Sequence, residues 1–149
     1  MPEIVLVEPK IPQNTGTIAR LCAATNSKLV LVGDLGFSLS DKYLKRAGLD
    51  YWEHVTLEHI PNARQYLADI KDTSPYLLSS KASVSYTTVT YAKNQRLIFG
   101  SETTGLPDVY KDAFSDRLIT IPMANPNIRS LNLANSVSIV LYEALRQLY

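Results

Sequence analysis

Rhythm is the strongest constraint in this sequence. Apolar runs of strand length fall at residues 4–7, 28–32, 55–57, 76–79, 96–99 and 118–121, and helical patterns fall between them at about 15–26, 41–46, 62–70, 108–114 and 132–148. Strands this short and this apolar, separated by helices, predict a mostly parallel sheet covered by helices on both faces, an α/β fold. A chain of 149 residues has room for about one domain, so residues 1–149 are read as a single unit. Area scaling lets such a chain bury about two thirds of its unfolded surface, enough for one real core without disulfide or metal staples. The last helical pattern carries Leu133, Ala134, Val137, Val140, Leu141, Ala144, Leu145 and Leu148 on one stripe, with Tyr142 and Tyr149 widening it. A stripe this broad suits a helix buried on more than one side, by the core alone or by the core and a second copy of the chain.

Composition enters as a set of exclusions. With 46% hydrophobic and 19% charged residues the chain is neither disordered nor fibrous. Cys22 is the sole cysteine, which rules out an intrachain disulfide or a CxxC metal or redox motif and fits a reducing cytoplasm. His54 and His59 have no cysteine partner, so no metal site is expected. The apolar run at residues 4–7 is too short for a signal peptide or a membrane span, and no membrane partner is expected. A net charge of +1 gives little whole-molecule attraction to nucleic acid, so an RNA site has to be a local patch, for which Lys42, Lys45 and Arg46 on one helix are the best candidates.

Ligands in sheets of this class sit beyond the carboxyl ends of the strands, and three loops there are distinctive. The first, Pro12-Gln13-Asn14-Thr15-Gly16-Thr17-Ile18-Ala19-Arg20, opens a helix with Asn14 as its expected N-cap. Free N–H groups near Gly16 would suit a phosphate, and Arg20 lies off the apolar stripe. An ordinary capped helix start with a solvated arginine explains the same residues. The second, Phe99-Gly100-Ser101-Glu102-Thr103-Thr104-Gly105-Leu106-Pro107, has the glycine spacing of a P-loop but lacks the Lys and Ser/Thr that hold phosphate and magnesium. A dinucleotide oxidoreductase is also disfavoured, since the loop after the first strand has no glycine fingerprint. The third runs from Ile121 to Asn132, with Ser130 as the expected cap of the last helix and Asn127, Ser130, Asn132 and Asn135 as neutral hydrogen-bonding groups.

Taken together and in order, these loops resemble the three motifs of the SpoU branch of the SPOUT RNA methyltransferases. Asn14-Thr15-Gly16 with Arg20 is similar to the first. Ile98-Phe99-Gly100-Ser101-Glu102 with Gly105-Leu106-Pro107 is similar to the second, and Ile121-Pro122-Met123 with Ser130 to Val137 to the third. The opening residues 4–16 and Gly48-Leu49-Asp50-Tyr51 look like the minimal members that methylate the tRNA wobble nucleotide.

The resemblance implies a C-terminal deep trefoil knot, a homodimer, and S-adenosyl-L-methionine as methyl donor with no metal. Composition could not have suggested the knot, since threaded chains are rare exceptions. By matching position the donor would be lined by Leu78, Ser79, Gly100, Glu102, Ile121, Met123, Ser130 and Leu131. The implied acceptor is the ribose 2′-oxygen of cytidine or uridine 34 in the tRNA anticodon stem-loop, with leucine tRNAs as expected substrates. Arg20 is the family's catalytic position, Asn132 and Tyr142 would position the nucleotide, and Arg129 would join Arg20, Lys42, Lys45 and Arg46 on the RNA. A guanidinium is essentially always protonated and has no acceptor. Arg20 is therefore expected to grip the neighbouring phosphate and stabilise the developing alkoxide rather than to act as a base. Two other readings remain at this point: a related methyltransferase with another tRNA or rRNA target, and an RNA-binding module that keeps the fold without turnover.

Overall fold

Alternation within the strands sorts the core into two layers. In the computed structural model, which describes residues 1–149, the elements are β1 (Glu3–Val7), α1 (Pro12–Thr25), β2 (Lys28–Val32), α2 (Lys42–Ala47), β3 (Leu57–Ile60), α3 (Ala63–Ile70), β4 (Tyr76–Leu78), β5 (Arg96–Phe99), α4 (Asp108–Ala113), β6 (Leu118–Ile119) and α5 (Leu133–Leu148). Ile4 and Leu6 of β1, with Leu29, Leu31, Leu97 and Phe99, pack against Ile18, Ala19 and Cys22 of α1 and Val137, Val140, Leu141 and Ala144 of α5. Val5 and Val7, with Val30, Val32 and Ile98, face the other way onto Tyr66 and Ile70 of α3, Tyr110 of α4 and Phe114 just after it. Each buried aliphatic side chain contributes about 1.5–3 kcal/mol, and a strand apolar at every position requires a helix layer on each side.

The six strands are all parallel, in the order β3-β2-β1-β5-β4-β6. The chain steps outward from β1 to β3, crosses back by α3 to β4, and then places β5 between β4 and β1. That reversal opens a crevice at the carboxyl ends of the strands. At the β6 edge, Leu118 and Ile119 pair with Leu77 and Leu78 of β4. Thr120 forms a parallel bridge to Ser85, donating its N–H to the Val84 carbonyl and accepting from the Tyr86 N–H. Residues 118–120 thus run between β4 and the 84–86 segment before the chain departs toward α5.

Several boundaries differ from expectation. The third strand lies at Leu57–Ile60 rather than 55–57, because Trp52–His54 forms a 3₁₀ turn that leaves Val55 as its extended exit residue. Helix α1 starts at Pro12, whose fixed φ and missing N–H suit a first helical turn. Asn14 is therefore inside the helix and is not its N-cap. Asn132, not Ser130, caps α5, accepting the Asn135 N–H at 3.1 Å. Tyr142 and Tyr149 do not widen the buried stripe; they stand 55% and 86% exposed. Cys22 is buried on α1, and desolvation pushes its thiol up to about 12.

At the far end of α5, the two oxygens of Glu143 accept from Nε and Nη2 of Arg146 at 2.9 Å each. Gln147 adds a third bond to Glu143 while donating to the Val89 carbonyl and accepting the Tyr91 N–H. These bonds, chiefly that from Arg146, hold the Glu143 carboxyl at about 2 instead of its ordinary 4.5. A depressed carboxyl contributes stability that is complete above the unfolded value and is lost as pH falls toward the folded one. The melting-temperature gap between the native chain and Glu143→Gln is expected to close between about pH 4.5 and pH 2; a gap constant over that range would refute the assignment.

Candidate active site

One cavity of about 380 Å³ lies beyond the carboxyl ends of β4, β5 and β6, closed by the approach to α5. The volume is within the range of small-molecule sites. Its wall gathers all eight residues expected around a methyl donor: Leu78, Ser79, Gly100, Glu102, Ile121, Met123, Ser130 and Leu131. Asn14 and Asn132 also line it, as do Thr104, Lys81 and Lys111, which sequence reasoning did not single out. The lysines fall in the loop after β4 and on α4, where nothing in their local pattern distinguishes them from solvated cations. Lys111 is paired with Asp108 at 3.2 Å.

Gly100 is required by close approach. A Cβ there would stand 2.1 Å from the Gly105 carbonyl carbon and 2.1 Å from the Leu106 nitrogen. The loop closes on itself through reciprocal Ser101–Gly105 backbone bonds, at 3.2 and 3.0 Å. The Ser101 hydroxyl accepts from the Thr103 and Thr104 N–H groups. Gly105 has φ +69, a left-handed conformation that favours glycine. Both glycines line the cavity.

The carboxylate of Glu102 is committed elsewhere. It accepts the backbone N–H of Lys10 at 2.9 Å and of Ile11 at 2.6 Å, and the Asn14 side-chain amide at 3.3 Å. Asn14 Oδ1 in turn accepts from Asn132 Nδ2 at 3.1 Å. The loops before α1, after β5 and before α5 are therefore tied by one chain of side chains. The expectation that free N–H groups near Gly16 receive a phosphate is corrected: α1 begins at Pro12, which places Gly16 inside the helix, and the Asn14 and Thr15 N–H groups already donate to the Ile11 carbonyl at 3.2 and 3.5 Å. Gly16 does not leave the backbone open either: a Cβ there would lie 2.5 Å from Ala47 Cβ and 2.5 Å from the Leu44 carbonyl, so its role is the close packing of α2 on α1.

The remaining candidates lie outside the cavity wall. Arg20 is exposed on α1 and makes no hydrogen bond or ion pair within the chain; its guanidinium stands 5.5 Å from the centroid of the Tyr51 ring. Lys42, Lys45 and Arg46 are exposed on α2, with cation–π contacts to Tyr43 and Trp52. Arg129 is exposed in the loop before α5, and Tyr142 is exposed on α5. His59 faces the Gly33 carbonyl and His54 pairs with Glu53, and no group of three metal-ligating side chains forms.

Residues 1–142 match the model of the SpoU rRNA Methylase family. The chain belongs to that family. It is a methyltransferase of the SpoU type, and the three-motif resemblance is upheld over almost its whole length. The tRNA (cytidine(34)-2'-O)-methyltransferase of Methylovorus glucosotrophus is 45% identical over 146 residues, covering 97% of this chain and 94% of that one. A solved structure described as giving insight into 2-OH methylation of C/U34 on tRNA superposes with a TM-score of 0.92 at 40% identity, covering 99% of this chain and 96% of that chain. The AdoMet-bound rRNA methyltransferase of Sinorhizobium meliloti gives 0.85 at 28% identity, covering 99% of this chain and 57% of the longer one. The mostly parallel α/β fold is thus that of SpoU methyltransferases. No helix is long and apolar enough to cross a membrane.

Proposed function

We propose that residues 1–149 act as one domain that transfers the methyl group of S-adenosyl-L-methionine to the ribose 2′-hydroxyl of cytidine or uridine 34 of tRNA, leucine tRNAs among them, in the cytoplasm. The observation that carries this reading is the single cavity on which Gly100, Glu102, Met123 and Ser130 converge, three loops distant in sequence. The activity for which a relative 45% identical over nearly the full chain is named points the same way.

The cavity suits the donor chemically. Leu78, Phe99, Ile121, Leu131 and Leu133 offer an apolar wall for an adenine ring, while Ser79, Ser130 and Asn132 add polar groups to it. Lys81 and Lys111 on the rim match a carboxylate. When bound, the donor supplies an electrophilic methyl group on a sulfonium. The chain's own part is alignment, which in favourable cases supplies about 7–11 kcal/mol, and stabilisation of the 2′-oxygen as its proton passes to solvent water and negative charge builds on it. Arg20 carries the second role, gripping the adjacent phosphate with a fork that no residue of the chain occupies. Asn132 and Tyr142 position the nucleotide, while Lys42, Lys45, Arg46 and Arg129 hold the anticodon stem-loop.

A homodimer completes this picture. Arg20 is not part of the cavity wall of its own chain, and Ile11, Ile128, Leu131 and Tyr142 are all exposed. A second copy brought onto this face would cover them and bring its arginine to the site. The passage of residues 118–120 between β4 and the 84–86 segment supports the trefoil knot as the device that shapes the cavity.

Transfer of labelled methyl to a panel of unmodified tRNAs, followed by mapping of the product, tests the proposal. Methylation of the ribose at position 34 is expected, together with donor-dependent thermal stabilisation of about 2.7 kcal/mol at 100 times Kd. Methyl found on a base, or on another nucleotide or an rRNA, would replace the substrate assignment. Stabilisation without any transfer would favour a binding module.

A further inference from the structure

The segment Gly48-Leu49-Asp50-Tyr51-Trp52 contributes nothing to the cavity wall, yet it is built with some care. Gly48 lies against the Trp52 indole so closely that a Cβ would stand 2.4 Å from ring atom Cε2. The indole Nε1 donates to the Lys45 carbonyl at 3.0 Å, and Trp52 packs on the edge of the core layer that holds α1. Leu49 takes φ +53, a left-handed conformation that costs a non-glycine residue about 1–2 kcal/mol. The Tyr51 N–H donates to the Gly48 carbonyl and the Tyr51 carbonyl accepts from His54. Trp52 is therefore the anchor of a fixed turn. The residue that the turn presents is Tyr51, 43% exposed, with the Arg20 guanidinium 5.5 Å from its ring centroid.

Most arginines that the fold holds in place are held by their N–H groups: Arg96 by Glu3, Arg117 by the Ser74 and Pro75 carbonyls, Arg146 by Glu143. Each of those uses donors, and a carboxylate partner also cancels charge. Arg20 has no such partner. An aromatic face attracts a guanidinium through its quadrupole without occupying any of the five N–H donors. We infer that Tyr51 is a positioning residue for Arg20: its ring restricts the guanidinium while leaving the whole fork and its charge available to RNA. This inference rests on the role given to Arg20 above and extends it to a residue whose local pattern is that of an ordinary exposed tyrosine.

Tyr51 is exposed, so its replacement is not expected to disturb folding, which an unchanged melting temperature would verify. Tyr51→Leu should lower kcat for methyl transfer about 5- to 30-fold, between the loss of one exposed to partly desolvated cation–π contact and the cost of a misplaced reacting group. The donor KM should stay the same, and Tyr51→Phe, which keeps the ring face, should stay within about twofold of the native rate. In the free protein, ¹⁵N relaxation of Arg20 Nε–H should report a restricted group in the native chain and in Tyr51→Phe, and a mobile one in Tyr51→Leu. Equal Arg20 mobility in all three, or a Tyr51→Leu enzyme with native kcat, overturns the inference. Absence of methyl transfer by the native protein would instead overturn the functional reading, and the relaxation measurement decides the Arg20–Tyr51 coupling independently of it.

Discussion

Arg20→Ala is expected to lower kcat for methyl transfer by about 10²–10³-fold, the effect of removing a donor aimed at a developing oxyanion. Folding should be untouched, because the side chain is exposed and makes no hydrogen bond or ion pair within the chain. Donor binding should also survive, since Arg20 is not part of the cavity wall. Arg20→Lys is expected to recover only part of the loss, because a point charge cannot reproduce a planar fork of five donors. The measurement is single-turnover transfer at saturating RNA, beside the thermal shift produced by the donor. A near-native rate in Arg20→Ala with donor binding intact would remove Arg20 from the chemistry.

Gly100→Ala should have the opposite signature, losing donor binding and stability together. The added methyl would lie 2.1 Å from backbone atoms of Gly105 and Leu106, and backbone cannot swing aside as the end of a flexible side chain can. Overpacking of this kind costs about 1–3 kcal/mol, occasionally more, and the shift of the 100–105 loop would displace the cavity wall. Gly105→Ala is the informative control. Its Cβ would meet nothing within 4 Å, but its φ of +69 makes the change a pure backbone cost of about 1–2 kcal/mol. Donor titration by thermal shift on both variants separates the two effects. Retained binding in Gly100→Ala would mean that the loop tolerates rearrangement.

The eight residues that the resemblance to SpoU methyltransferases implied for the methyl donor come from short stretches with unusual residues, among them two glycines bounding a strand-to-helix loop and an Ile-Pro-Met segment. All eight residues assigned to it do meet in one cavity. The errors concern which atoms are free. Asn14 has the residue type and position of a helix cap, but the helix starts at Pro12 and the Asn14 side-chain amide donates instead to Glu102, 88 residues away in sequence. Ser130 is a good capping residue, but Asn132 two positions later is as good a one and lies at the start of the helix. Gly16 reads as an open backbone until α2 is seen against it. Tyr142 shares the helical period of the buried α5 stripe, and its exposure depends on what packs beside it.

The sequence by itself determined the layered α/β architecture, since strands apolar at every position need cover on both faces. It also determined the loops that supply the cavity, since glycine and proline impose backbone geometry locally. Tertiary structure decided the roles within those loops. That Glu102, a residue of the cavity wall, also ties two loops together through its carboxylate depends on groups about 90 residues away, which no local pattern encodes. The same is true of Arg20, whose pairing with Tyr51 arises only when α2 and the turn after it pack onto α1.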